Sequence, residues 1–181
     1  MPRHIALLRG INLGSTRRVS MPELRELLTD AGYGDVRTLV QSGNIVLTSR
    51  QKPARVQKEL EELIEGDLGV QTDVVVRTRD ELADIIERNP LADIYDGDPK
   101  HLHVTFLAAK APAKLAKLLA DGDFAPDVVA VSGREIYAFH PNGLQRSALA
   151  RLTADQKKLG VTATARNWNT VTKLLELADA A

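Results

Sequence analysis

The sequence contains no cysteine, and this absence removes several kinds of chemistry at once. Disulfide bonds, thiolate metal sites, iron–sulfur clusters and a cysteine nucleophile are all excluded. The absence fits a cytoplasmic protein, which is the location we expect. Near the amino terminus only four apolar residues, Ile5 to Leu8, precede Arg9, so this stretch does not have the form of a signal peptide. No segment approaches the roughly 20 apolar residues that span a bilayer, and we expect no membrane partner.

Aromatic residues and net charge are also scarce. Aromatics make up 4% of the 181 residues, so the core has to be aliphatic. The 24 basic and 24 acidic residues give a formal net charge of zero, and such a chain has no global positive field to attract nucleic acid. The apolar runs HIALLRG and NIVLTSR also lack the aromatics on which sheets stack RNA bases. A nucleic-acid partner is therefore not expected.

The first half of the chain has the predicted element order βαββαβ. Apolar and β-branched runs predict strands over 3–9, 35–40, 44–49 and 70–78, and helical spacing predicts helices over 20–31 and 53–68. Ser20 and Glu23 form a capping box that starts the first helix. The first strand is apolar on both faces and is predicted to be central. This order is typical of the ferredoxin-like split βαβ motif, an antiparallel sheet with two helices on one face.

The second half repeats this element order after a linker rich in Asp, Pro and Gly. We therefore predict an α+β protein of two tandem ferredoxin-like subdomains with antiparallel sheets, spanning 1–92 and 99–181. A short strand at 161–163 and an added last helix from about Arg166 to Ala178 complete the second subdomain. In that helix Trp168 shares a stripe with Val171, Leu175 and Ala178, which predicts Trp168 as a core anchor.

The long connection Gly10–Val19 carries the clearest functional pattern in the sequence. Its ten residues follow a central strand and precede a helix, where compact proteins usually need about 2–6. Two glycines permit positive φ, so successive N–H groups can form an anion-binding nest beside a helix N-terminus. Arg17 and Arg18 add charge. The candidate binding residues here are Arg9, Gly10, Asn12, Gly14 and Ser15.

A second polar group, QSGN at 41–44, is a hairpin turn in its simplest interpretation, and Gln41, Ser42 and Asn44 are typical turn residues. The same three side chains are candidate ligand-binding groups. On the predicted topology we expect the end of the first strand to lie near the end of the third strand, away from Asn44. Topology alone therefore does not bring this turn to the loop after Arg9.

Further candidates lie at the predicted start of the last helix, in the stretch TARNWNT. Arg166, Asn167 and Thr170 fall outside the apolar stripe and are free to line a site, and Thr164 or Asn167 can cap the helix. Arg9, Asn12, Arg166 and Asn167 are predicted to come together, although they lie at opposite ends of the chain. Two close arginines would need an anion or an acidic side chain between them.

Metal binding and known catalytic motifs are not indicated. His101 and His103 share a strand face, but a zinc site needs three or four converging ligands. His4 and His140 are single strand residues with an expected structural role. Ser147 lacks the G-x-S-x-G setting of a nucleophilic serine, and the glycine loop matches neither nucleotide-binding fingerprint. The sequence leaves the catalytic residues, the cofactor, the oligomeric state and the question of enzyme activity open.

The motifs LLRGINLG, MPELRELL, QSGNIV and ATARNWNTVTKLL together resemble those of the bacterial family called domain of unknown function 1697 (DUF1697). The resemblance runs from Ile5 to Leu177 and implies two ferredoxin-like subdomains and a cytoplasmic location, without an assigned activity. Relatives commonly have a second glycine where this chain has Ser15, and a lysine where it has Ala148. If that lysine were catalytic in relatives, this chain would lack it.

Three functional hypotheses follow. The first is a protein or enzyme that binds a small anionic ligand, carrying phosphate or carboxylate, at the Gly10–Val19 loop and the helix start near Arg166. The second is a regulatory module similar to amino-acid-sensing domains, which also combine βαββαβ with a glycine after the first strand. In the third, the polar motifs only lock the two halves together.

Overall fold

The computed structural model describes residues 1–180, which divide into two compact units. The first unit comprises Met1–Asp84 and Lys173–Ala181, whose last residue lies outside the described range, and the second comprises Ile85–Thr172. Each unit carries one four-stranded antiparallel sheet with helices. This confirms the predicted α+β class with two tandem subdomains.

The first unit has the predicted order of six elements. They are β1 (Arg3–Leu8), α1 (Met21–Asp30), β2 (Gly34–Leu39), β3 (Asn44–Thr48), α2 (Pro53–Leu68) and β4 (Val74–Thr78). The strands lie in the order β2-β3-β1-β4, so β1 is central as its two apolar faces predict. Helix α1 begins with Ser20 as its N-cap, and the Ser20 hydroxyl accepts a hydrogen bond from the Glu23 N–H at 3.4 Å.

An aliphatic core fills the space between this sheet and the two helices. Leu24 and Leu28 of α1 and Leu60 and Ile64 of α2 are fully buried, and they belong to one cluster with Ala6 of β1. Their spacing of four residues places each pair on one side of its helix. Since the cluster contains a single aromatic residue, the low aromatic content of the sequence is reflected directly in its composition.

The position of the turn before β3 corrects one prediction. Strands β1 and β3 pair antiparallel, with Leu7 opposite Asn44, and the Leu8 N–H donates to the Gly43 carbonyl at 2.8 Å. The expectation that the end of β1 lies away from Asn44 was therefore wrong. In an antiparallel pair the last residues of one strand lie beside the first residues of its partner. The turn 40–43 accordingly lies beside the loop that leaves β1.

The second unit contains the end of α3 (Arg79–Glu87) and most of the remaining elements. In chain order these are β5 (Leu102–Leu107), α4 (Ala113–Asp121), β6 (Val128–Ser132), β7 (Glu135–Phe139), α5 (Ala148–Ala154), α6 (Gln156–Leu159), β8 (Ala163–Asn167) and the start of α7 (Trp168–Asp179). The strand order is β6-β7-β5-β8, which corresponds to that of the first sheet. Strands β6 and β7 pair antiparallel as a hairpin, with Ser132 opposite Glu135 at the turn.

The boundary between β8 and α7 differs from the sequence prediction. Residues 163–167 form a full strand, with Arg166 opposite Val104 of β5, and the helix begins only at Trp168. Trp168 is half-buried, whereas Val171, Leu174 and Ala178 are the fully buried residues of α7. The buried face therefore contains Leu174 where the predicted stripe had Leu175, and Trp168 is not a fully buried core anchor.

The end of α7 is tied to the first unit by polar contacts. Asp179 forms a two-point ion pair with Arg79, with distances of 2.7 Å and 3.1 Å, and the Arg3 guanidinium donates to the Ala178 carbonyl. Residues from Lys173 onward belong to the first unit. The boundary by chain order, between 92 and 99, stays a prediction.

Gly43 provides a test of how closely the turn packs on β1. Its φ is +78°, and a Cβ there would lie 2.6 Å from Leu8 Cβ and 2.8 Å from Ile11 Cδ1. Gly14 has the same φ of +78° but nothing within 4 Å of its Cβ position, so it is a matched control. Both changes to alanine incur strain of about 1–2 kcal/mol.

We expect Gly43→Ala to cost about 1–3 kcal/mol more unfolding free energy than Gly14→Ala, because only Gly43 adds overpacking. Urea denaturation of both variants measures the difference. Equal destabilisation of the two variants would show that the turn does not pack against β1 as described.

Candidate functional site

The loop between β1 and α1 has an unusual number of left-handed residues. Gly10, Asn12, Gly14 and Arg17 all have positive φ, between +51° and +78°. The glycines adopt the conformations for which the sequence predicted them, and asparagine is among the residues that most readily tolerate positive φ. Residues 13–18 are exposed, while Ile11 and Val19 at the two ends are buried. The loop is therefore anchored at both ends and projects in its middle.

Asn12 holds this loop in place through its side-chain amide. The amide oxygen accepts from the Val19 N–H at 2.9 Å, and the amide nitrogen donates to the Val19 carbonyl at 3.0 Å and to the Gln41 carbonyl at 2.6 Å. The Asn12 main-chain N–H donates to the Arg17 carbonyl at 3.0 Å, which closes the loop on itself. One side chain therefore joins the loop, the entrance to α1 and the turn before β3.

The QSGN residues have different roles. Asn44 is fully buried, and its side chain donates to the Leu39 carbonyl at 3.0 Å and to the Ser42 hydroxyl at 2.9 Å, bracing the turn from inside. Gln41 and Ser42 are exposed. Asn44 is thus placed to shape the turn rather than to contact a ligand. The Gln41 carbonyl accepts a hydrogen bond from Asn12, and the Gln41 side chain faces solvent.

Arg9 is held by the start of β4. Its guanidinium donates to the Asp73 carboxylate at 2.7 Å, its N–H donates to the Asp73 carbonyl at 3.0 Å, and its carbonyl accepts from the Thr72 hydroxyl at 2.8 Å. The ion pair is about one-third to one-half exposed, so its net contribution to stability is about 1 kcal/mol or less. An acidic side chain therefore already balances the charge of Arg9.

A cavity of about 400 Å³ opens beside the anchored loop. It is lined by Asn12, Gly14, Arg18, Val19, Ser20 and Gln41. Arg17 and Arg18 are exposed, and within residues 1–180 neither has a carboxylate at salt-bridge distance. The segment 9–20 itself contains three arginines and no acidic residue. The loop thus combines a fixed concave surface with positive charge that no neighbouring carboxylate offsets.

The carboxy-terminal candidates occupy a strand end and a helix cap in the second unit. Arg166 is buried in β8, where its guanidinium donates to the Thr164 hydroxyl and to the Ala165 carbonyl, both at 2.8 Å. Burial lowers the pKa of Arg166 to about 10, so it stays charged at neutral pH. Asn167 caps α7 by accepting from the Thr170 N–H at 2.9 Å, as predicted. The prediction that Arg166 begins a helix was wrong.

Sequence reasoning missed the residues that neutralise and hold Arg9. Asp73 and Thr72 precede β4, and the pairing of Leu8 with Val74 brings them beside the end of β1. The antiparallel register of β1 with the edge strand β4 was the available signal, because it fixes which residue flanks Arg9. A joint site of Arg9, Asn12, Arg166 and Asn167 stays a prediction.

The histidines that suggested a metal site have separate partners. His101 Nδ1 lies 2.8 Å from the Asp96 carboxylate and its Nε2 lies 3.9 Å from that of Asp98. His103 instead stacks edge-on against His140, with ring centroids 5.5 Å apart. In the part of the chain that the structure describes, no three His, Asp or Glu side chains are arranged to hold a metal ion.

His101 gives a direct test of these contacts. The hydrogen bond that His101 donates to the Asp96 carboxylate raises the pKa of His101 above its ordinary value of 6.5. The charged form is favoured in the folded state, so its stabilising effect is complete below pH 6.5 and is lost as pH rises through the folded-state pKa. We expect Asp96→Asn to bring the His101 titration midpoint down towards 6.5, as measured by the ring proton shifts in NMR.

Asp93→Asn is the control for this titration, because Asp93 lies in the same segment and forms none of the contacts to His101. It should leave the midpoint unchanged. A midpoint in Asp96→Asn equal to that of the wild type would show that another group holds the His101 proton.

Within residues 1–180, none of the helices combines the length and apolar character needed to cross a membrane.

Comparisons with known proteins agree with this architecture. No curated protein matches the chain. A conserved bacterial protein from Streptococcus pneumoniae has a similar solved structure, with a TM-score of 0.78 and 22% sequence identity over 98% of each chain. That similarity shows the fold alone. Residues 1–137 match the family described as "Protein of unknown function (DUF1697)", so the chain belongs to the DUF1697 family.

Proposed function

We propose that the chain binds a small anionic ligand, carrying phosphate or carboxylate, at the Gly10–Val19 loop. The observation that carries this proposal is the cavity of about 400 Å³ beside Arg18, on a loop whose arginines 17 and 18 have no carboxylate partner within residues 1–180. Arginine is suited to this task because its planar guanidinium grips phosphate and carboxylate groups at two points.

Main-chain groups support the same ligand class. The cavity lies at the start of α1, a ten-residue helix whose first N–H groups carry partial positive charge. Gly14 has positive φ and lines the cavity, and the Ser20 hydroxyl is on the same surface. An anion seated there would receive donors from the loop backbone, the helix start and Arg18.

The roles within the two motifs then separate. Asn12, Gly43 and Asn44 shape the loop and the turn, because their polar or backbone contacts are made to other groups of the protein. Arg17, Arg18 and Ser20 remain exposed and supply the groups that meet the ligand. Arg9 holds the loop to β4 through Asp73. The same proposal includes Arg166, Asn167 and Thr170 as further ligand-binding residues. It also includes a cytoplasmic location for the protein.

A second candidate role, in which the LLRGIN and QSGN motifs act only as a structural lock inside the first unit rather than between the two halves, is favoured by one observation. All three side-chain hydrogen bonds of Asn12 go to main-chain atoms of the protein. A lock explains Asn12 and Asn44, but it leaves the exposed Arg17 and Arg18 without a role. The two candidates therefore differ in what removal of these arginines does.

The test is the double variant Arg17→Ala/Arg18→Ala, with Arg50→Ala as the control for loss of an exposed arginine in the same unit. Thermal shift with inorganic phosphate, phosphorylated metabolites and carboxylates identifies a stabilising ligand, and calorimetry gives its affinity. We expect the double variant to weaken binding roughly 10- to 100-fold, since a hydrogen bond to a charged group contributes about 1.5–3 kcal/mol.

Arg50→Ala should bind like the wild type, and both variants should melt near the wild-type temperature without ligand. If none of these anions stabilises the wild type, or if the double variant binds as tightly as Arg50→Ala, the loop is not an anion site. The structural lock would then be the better account of both motifs.

A further inference from the structure

A second cavity, of about 600 Å³, lies within the second unit between the segments 123–127 and 142–148. Its lining includes the half-buried Phe124 and the exposed residues Asn142, Gln145 and Arg146. Asp127 and Ser147 also line the cavity. The Asp127 side chain is only 7% exposed, and Ser147 as a whole residue is likewise 7% exposed. The cavity therefore joins an open polar rim to buried polar groups.

The buried groups form a compact cluster with His140, whose side chain is 2% exposed. The Ser147 hydroxyl donates to Asp127 Oδ2 at 2.5 Å, and His140 Nδ1 lies 3.2 Å from both of these oxygen atoms. The Ser147 hydroxyl also accepts from the Ala150 N–H at 2.8 Å as the N-cap of α5. His103 packs edge-on against His140, and burial lowers the pKa of His103 to about 4, so it is neutral at pH 7.

This arrangement is not that of a nucleophilic serine. In a catalytic triad the carboxylate binds one ring nitrogen of histidine and the serine binds the other. Here Asp127 and Ser147 face the same nitrogen, Nδ1 of His140. The Ser147 oxygen is also occupied as a helix cap. The cluster is therefore built to hold the Asp127 carboxylate in a fixed position rather than to activate an alcohol.

Asp127 keeps unused acceptor capacity. Its Oδ2 accepts the hydrogen bond from the Ser147 hydroxyl and lies close to His140 Nδ1. Within residues 1–180 its Oδ1 has no hydrogen-bond donor. A carboxylate can accept about four hydrogen bonds, and this oxygen is not one of the fully buried unpartnered atoms, so a donor from outside the protein can reach it. Asp127 lines the cavity, so a molecule in the cavity can supply the missing donor.

We propose that this cavity binds a free α-amino acid, with its ammonium group on Asp127. A protonated amine is the strongest match for the free oxygen of this mostly buried carboxylate because the hydrogen bond is charge-assisted. On the same lining Arg146 is exposed, and among residues 1–180 it has no carboxylate partner, so it suits the carboxylate of the ligand. The half-buried Phe124 ring offers an apolar surface for the side chain. This site is independent of the loop in the first unit.

The test uses the full chain labelled with ¹⁵N and titrated with the standard amino acids, and with ethanolamine as an amine that lacks the carboxylate. We expect saturable amide shift changes confined to segments 123–127 and 142–148. Asp127→Asn, which keeps the shape and the acceptor for Ser147, should weaken binding roughly 10- to 100-fold. Asp93→Asn makes the same chemical change at an exposed position outside the cavity and should bind like the wild type.

A second variant protects the test against misfolding of the cluster. Ala148→Phe places a ring at an exposed helix position that lines the cavity, and it should block binding without touching Asp127. Three outcomes would overturn the assignment. They are no shift with any amino acid, equal shifts with the N-acetylated form of the amino acid that binds, and the same shifts with potassium chloride alone.

Discussion

The side-chain amide of Asn12 is the interaction on which the candidate anion site depends. Its three hydrogen bonds reach the Val19 main chain, where α1 is about to begin, and the Gln41 carbonyl, where the turn before β3 begins. A ten-residue loop between a strand and a helix has many conformations, and ordering it costs entropy. The Asn12 contacts select one of these conformations, with residues 13–18 outside and the cavity beneath them.

The energetics explain why such polar contacts are concentrated at this edge of the sheet. A hydrogen bond contributes only about 1 kcal/mol net, but a buried polar group left without a partner costs about 1–3 kcal/mol. Asn12 and Asn44 therefore act more by excluding other conformations of the loop and the turn than by stabilising the fold. Gly43 adds a steric condition, because the space that its side chain would occupy is filled by Leu8 and Ile11. Together these contacts hold the loop in place and leave Arg17 and Arg18 in solvent.

Much of the architecture followed from sequence pattern. The apolar spacing of Leu24 and Leu28 and the capping pair Ser20 and Glu23 predicted α1, and the two-sided apolar character of β1 predicted its central position. The strand end at Arg166 was harder to predict from the sequence. The residues ARN have the polar character of a helix start, whereas their pairing with β5 is decided by tertiary contacts.

The site was less predictable than the fold. The glycines and arginines of the loop were visible in the sequence, but the partner of Arg9 was not, because Asp73 lies 64 residues away and only strand register brings it near. Asp127, His140 and Ser147 lie nearer to one another in the chain, since Ser147 follows Asp127 by 20 positions and His140 by 7. Each belongs to a different segment, and none has a motif around it, so only the folded chain shows that they share hydrogen bonds.

Amide hydrogen exchange of the wild type and Asn12→Ala tests the role of Asn12 most directly. In the wild type the Asn12 and Val19 amides are hydrogen-bonded and should be protected, like the Ile5 amide within β1. We predict that Asn12→Ala removes protection at Val19 and at residue 12 while the amides shared by β1 and β4 keep theirs. Unchanged protection at Val19 in Asn12→Ala would contradict the account, since the loop would then hold its conformation without the amide that we identify as its anchor.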